Sequence, residues 1–138
     1  MKVLFDTCLI IDYLQNRLPF AEEEEPLIEA AVRGEIEGYI TAKSLTEIYY
    51  LTHHVLHDGD KTRNVIAELL KIFHLSDTSA SDCLLALALE SKDYEDAVMA
   101  VTAKRLKIPY LLTRNVPDFP QLPGIRILTP SAFEKTIL

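Results

Sequence analysis

Four carboxylates stand where an apolar segment gives way to a turn or a helix start: Asp6, Glu47, Asp96 and Asp118. Asp6 closes the run Val3-Leu4-Phe5, and Glu47 follows Ser44-Leu45-Thr46, just beyond the apolar segment that ends at Ile40. Asp96 opens the small-residue stretch Ala97-Val98-Met99-Ala100. Asp118 lies in Thr113-Arg114-Asn115-Val116-Pro117-Asp118-Phe119, past Tyr110-Leu111-Leu112. Parallel strands of α/β folds present ligands at their carboxyl ends. Acids gathered there repel one another until a cation neutralises them. Hard divalent cations take oxygen ligands of this kind. The pattern predicts a Mg²⁺ or Mn²⁺ site built from distant parts of one chain. No Ser, Cys or His stands at a motif junction, which points to water activated by the metal as the attacking group.

Taken singly, each acid has an ordinary reading as well. Asp6 suits the N-cap of the next helix, and Thr7 beside it either caps the same helix or positions a metal-bound water. Glu47 falls one turn into its helix, at the edge of the face that Leu45 and Ile48 bury. Asp93 and Asp96 share one helix face. Asp93 reads as the cap or as a support, and Asp96 as the ligand. Asp118 sits in ordinary turn chemistry. Arg114 shares that loop and is a candidate phosphate contact. His53 and His57 are four apart and could bind a borderline metal, but with no third ligand at suitable spacing they read as a helix face. Glu22 to Glu25 read as a solvated helix start, and Arg33, Lys104, Arg105 and Lys107 as surface cations.

The elements that must position these groups alternate. Residues 2–6 form a short apolar run without alternation, which suits a buried parallel strand. Leu9, Ile10, Tyr13 and Leu14 recur at helical spacing. Glu22 to Glu25 with Pro26 mark a helix start, and Gly34 marks its stop. Tyr39-Ile40-Thr41 reads as a strand, and a helix follows from about Ser44 to Leu56. Asp58-Gly59-Asp60 is a turn signal, and a helix covers about Lys61 to Phe73. Leu75 is a minimal third strand, followed by a Leu/Ala-rich helix from Ser81 to Glu90. The helix opened by Asp93 to Asp96 ends near Lys107. Residues 108–112 and 125–128 are further strands, and Pro130 starts a terminal helix. Short strands alternating with helices imply a parallel sheet covered on both faces, in one domain over residues 1–138.

Apolar residues make up 49% of the chain, so a folded globule is expected rather than disorder. The apolar stretches are short and broken by charge, so neither a membrane span nor a secretory signal is expected. Cys8 and Cys83 are too few for a disulfide framework and read as buried residues of a reducing cytoplasm. The net charge of −7 argues against a broadly basic nucleic-acid surface. It leaves open nucleic acid held at a metal-bearing cleft.

Phe5-Asp6-Thr7, Thr46-Glu47, Asp93-Tyr94-Glu95-Asp96-Ala97 and the Thr113–Phe119 loop closely resemble the motifs of PIN-domain proteins, in order and over nearly the whole chain. The strongest likeness is to small single-domain prokaryotic members, which include VapC-type toxins of toxin–antitoxin pairs. The resemblance implies a three-layer α/β/α sandwich with a central parallel sheet of about five strands. It implies a metal-dependent endoribonuclease acting on single-stranded RNA, a homodimer and an antitoxin protein as partner. Asp6, Glu47, Asp96 and Asp118 match the family's acidic quartet, and Asp93 an additional acid. Thr7, Thr113 and Asn115 match polar positions that support the metals or the scissile phosphate. A phosphatase of the DxD type is disfavoured because position 8 is Cys8, and a phospho-receiver because no acidic pair follows the first strand. A PIN-like module that binds RNA or protein without cutting is the remaining alternative.

Overall fold

Strand β1 (Lys2–Phe5) buries three successive residues, Val3, Leu4 and Phe5, with no exposed surface on any of them. A strand points successive side chains to opposite faces, so both faces of this strand are covered. The computed structural model describes all residues from Met1 to Leu138. The chain continues through α1 (Thr7–Leu14), α2 (Phe20–Val32), β2 (Glu37–Thr41), α3 (Ala42–Leu56), α4 (Gly59–Ile72) and β3 (His74–Ser76). It then forms α5 (Ala80–Leu87), α6 (Tyr94–Arg105), β4 (Tyr110–Leu112), a 3-10 turn at Val116–Asp118, β5 (Arg126–Leu128) and α7 (Pro130–Thr136).

The five strands form one all-parallel sheet in the order β3-β2-β1-β4-β5. Val3 and Phe5 join Ile40 and Leu112 in a core with Leu9, Leu27, Ile28, Leu69 and Phe133, from α1, α2, α4 and α7. Leu4 and Leu111 face the other way, onto Met99, Ala100 and Ala103 of α6. The result is the expected three-layer sandwich. Ala97, Ala100 and Ala103 have no exposed surface, and their small side chains let α6 lie close to the sheet. Order in the sheet reverses at β1, where the chain builds outward first to β2 and β3 and later to β4 and β5. Ligand sites of such sheets lie beyond the strand ends at the reversal, which is where Asp6 and Thr113 stand.

Three expectations need correction. Helix α2 begins at Phe20, so Pro26 lies inside it rather than in its first turn. Burial of Ala21, Leu27 and Ile28 carries the helix through a residue that cannot donate to the carbonyl four back. Glu24 is not solvated: it is 1% exposed and neither carboxyl oxygen has a hydrogen-bond partner. Burial and then the neighbouring Asp12 charge push its carboxyl up to about 8, against the pull of Arg114. Arg105 is no idle surface cation. It donates from Nε to Asp82 Oδ1 at 2.8 Å and from its terminal nitrogen to Asp82 Oδ2 at 2.9 Å, and so ties α6 to the wholly buried Asp82 of α5. The helix of His53 is an ordinary packed face, with the His53 ring stacked on Tyr49 and within 3.3 Å of the Thr62 hydroxyl.

Candidate active site

Asp6 occupies the N-cap position of α1, yet its side chain makes no capping hydrogen bond. Its Oδ2 instead accepts from the Thr113 hydroxyl at 2.7 Å and from the Cys8 thiol at 3.3 Å. Thr113 follows β4 and has no exposed surface, so two adjacent strand ends hold one carboxylate. The backbone N–H of Asn115 donates to the same Thr113 hydroxyl at 3.0 Å, which anchors the loop that carries Asp118. Thr7 does not cap α1 either. Its hydroxyl donates to Ser44 Oγ at 2.8 Å, which fastens α1 to the start of α3 and hence to Glu47.

Asp93 is the N-cap of α6 and accepts from the Asp96 backbone N–H at 3.1 Å. The Asp96 carboxylate takes no part in the cap, and Asp96 lines the cleft. One cleft of about 270 Å³ gathers Asp6, Glu47, Asp93, Asp96 and Asp118, with Thr7 and Asn115. Burial pushes the Asp96 carboxyl up to about 7, and the charges of Asp6, Asp93, Asp118 and Glu95 add to it. Burial also raises Asp6, against the hydrogen bonds from Thr113 and Cys8. A carboxyl raised by burial and by four neighbouring acids, as Asp96 is, marks a place where positive charge is missing. The Cys8 thiol lines the same cleft but is pushed up to about 12, first by burial and then by Asp6, so it is no nucleophile near neutral pH.

Arg114 is placed differently from the expected phosphate contact. It does not line the cleft: its guanidinium donates to Asp12 at 2.9 and 3.3 Å and lies 4.3 Å from the centre of the Phe20 ring. The cations that do line the cleft are Lys43 and Arg17, neither of which the sequence reading singled out. Lys43 binds Glu47 and reaches Glu95 at 2.9 Å. Its spacing of four residues before Glu47 was a usable signal for an ion pair on one helix face. Glu95, beside Asp96, was another overlooked acid of the cleft.

The donor set suits a hard divalent cation in type and charge: all four matched residues are carboxylates in a shared, partly buried cleft. As they stand, no three acids converge closely enough to enclose an ion. Of the four, Glu47 alone is ion-paired, to Lys43.

A family model described as PIN domain matches residues 2–117. The chain belongs to the PIN-domain family. Among solved structures, it resembles a chain of a toxin–antitoxin complex from Klebsiella pneumoniae at 26% identity and TM-score 0.66, over 93% of this chain and 97% of that one. VapBC-1 from nontypeable Haemophilus influenzae matches with TM-score 0.67 at 16% identity, over 95% and 99% of the two chains. VapBC2 from Rickettsia felis, bound to a DNA fragment from their promoter, matches with TM-score 0.60 at 16% identity, over 92% and 97%. The last two likenesses speak for the PIN fold alone. No curated protein matches the chain at a significant level.

Proposed function

We propose that this PIN domain is a divalent-metal-dependent endoribonuclease that cleaves single-stranded RNA and serves as the toxin of a toxin–antitoxin pair. The observation that carries the reading is the meeting of Asp6, Glu47, Asp96 and Asp118 in one cleft at the reversal point of the sheet. Asp6 and Asp96 are the central ligands, and Glu47 and Asp118 complete the set. Bound there, Mg²⁺ or Mn²⁺ supplies Lewis acidity for phosphodiester hydrolysis. The chain's own contribution is positioning. Thr113 fixes the Asp6 carboxylate, Thr7 holds α1 against α3, and Asp93 fixes the start of α6 through the Asp96 backbone N–H. Arg17 and Lys43 offer the only guanidinium and ammonium groups that line the cleft, and so the local charge that an RNA phosphate meets there.

An antitoxin partner is supported by the likeness to toxin–antitoxin complexes. It is also supported by an apolar groove of about 350 Å³ lined by Leu14, Val55, Leu56 and Val65, between α1, α3 and α4. A candidate face for a homodimer is α5, where Leu84, Leu85 and Leu87 are exposed.

The test pairs Asp6→Asn with Asp96→Asn. Each keeps side-chain size and removes a charge that its neighbours oppose, so the metal-free fold should hold or gain stability. Cleavage of a single-stranded RNA in Mn²⁺ should nearly vanish in both. Activity retained in either variant at equal folded concentration sinks the assignment. RNA binding by the wild type without any cleavage points to the non-cutting module instead.

A further inference from the structure

Lys43 stands in the first turns of α3, four residues before Glu47. Its ammonium binds Glu47 Oε1 and also Glu95 Oε2 at 2.9 Å, across 52 residues of sequence. Glu95 neighbours Asp96 on α6, so one cation bridges the two helices that bring Glu47 and Asp96 to the cleft. The side chain is only 31% exposed, and Glu47 only 35%, so the pair is partly shielded from solvent. Arg17 lines the same cleft but is bonded elsewhere, to Gln15 at 3.0 Å and near Asp12 at 3.8 Å.

We propose that Lys43 is a resident counter-ion of the cleft: it holds Glu47 away from the other three acids, yields Glu47 when a divalent cation binds, and thereby sets the affinity for that cation. The inference rests on the metal-site reading of the quartet. It accounts for two observations together. The acids share one cleft, yet no three converge to enclose an ion. Of the four acids, only Glu47 is paired with a cation. A carboxylate oxygen cannot serve an ammonium and a metal at full strength at once, and two cations brought to one carboxylate repel. Metal binding at Glu47 therefore competes with the Lys43–Glu47 contact. Lys43 acts through Glu47, which makes it a positioning residue and not a catalytic one.

Calorimetric titration with Mn²⁺ alone tests this on wild type, Lys43→Met, Lys43→Arg and Arg17→Gln. Met keeps most of the unbranched stem and drops the charge. The expected result is Mn²⁺ bound about tenfold more tightly by Lys43→Met, with Lys43→Arg close to wild type and Arg17→Gln changed by less than about twofold. The Tm of Lys43→Met should fall without metal and recover in saturating Mn²⁺, because the metal takes over the neutralisation of Glu47. A Lys43 that serves packing alone lowers Tm equally in both conditions. Equal or weaker Mn²⁺ binding by Lys43→Met overturns the proposal. So does a tightening that Arg17→Gln matches, since that reports only the general field. If wild type binds Mn²⁺ and Lys43→Met is no tighter, the counter-ion role fails and the metal site stands. If no variant binds Mn²⁺, both fail.

Discussion

Arg114 and Asp12, separated by 102 residues, are joined by two hydrogen bonds of 2.9 and 3.3 Å from one guanidinium to both carboxylate oxygens. Asp12 has no exposed surface, and the Arg114 side chain is 31% exposed. The Phe20 ring lies under the guanidinium. The pair ties α1, which begins beside Asp6, to the loop that holds Asn115 and Asp118. A planar fork bound at both prongs fixes direction as well as distance.

Arg114→Met should therefore cost about 3 kcal/mol, because it leaves the buried Asp12 carboxylate with only the half-exposed Arg17, 3.8 Å away and not hydrogen-bonded to it. Urea unfolding at neutral pH measures this. The double variant Asp12→Leu with Arg114→Met should recover much of the loss, since the uncompensated charge is gone. A single variant as stable as wild type would show that the pair contributes nothing to the fold.

Glu24 lies near this pair with no partner for its carboxyl oxygens, and its pKa of about 8 exceeds the unfolded value of about 4.3. The folded state holds the proton more tightly than the unfolded state. Its contribution is thus fully present below about pH 4.3 and is lost as the pH rises towards 8. Glu24→Gln should flatten that slope and should exceed wild type in stability at pH 8 by on the order of 3 kcal/mol, with little difference at pH 4.5. Urea midpoints at the two pH values decide it. A Glu24→Gln curve parallel to wild type across that range would refute the buried-acid assignment.

Asp82 gives the opposite sign. Burial raises its carboxyl, but hydrogen bonds from Arg105, the Ser79 backbone N–H and the Thr102 hydroxyl outweigh this and hold it at about 2. The folded value lies below the unfolded value of about 3.9. Its stabilisation is present above about pH 3.9 and disappears as the pH falls through about 2. Asp82→Asn should cost on the order of 2 kcal/mol at pH 7 and much less at pH 2. Acid titration of the circular-dichroism signal in both proteins would expose a failure as equal midpoints.

Gly38 of β2 is needed for space. A Cβ placed there would stand 2.7 Å from Cδ1 of Phe73 and 2.8 Å from Cε1. Phe73 is buried and packs edge-on against Phe5 with ring centroids 5.0 Å apart, so it has little room to withdraw. Gly38→Ala should cost about 1–3 kcal/mol. Adding Phe73→Leu should bring Gly38→Ala closer to its own background than it is in wild type. Thermal unfolding of the four proteins of that cycle reports the coupling, and strict additivity would mean that the contact is relieved at no cost.

The alternation of short apolar runs with helical periodicities determined the parallel α/β sandwich, because strand and helix periods are local properties of the chain. The sites of Asp6, Asp96 and Asp118 were legible for the same reason: each lies at a boundary between elements, and boundaries show in turn and capping residues. The order of strands in the sheet carried them to one cleft. Partnership was not legible. Asp12, Glu24, Asp82 and Arg105 have the same letters as solvated surface residues, and Arg114 the letter of a phosphate contact. Only the fold decided that Asp12 and Asp82 are buried beside guanidinium groups, that Glu24 is buried beside none of its own, and that Lys43 claims Glu47. Burial and Coulomb attraction depend on distance and solvent exposure through space, and neither is written in the separation of residues along the chain.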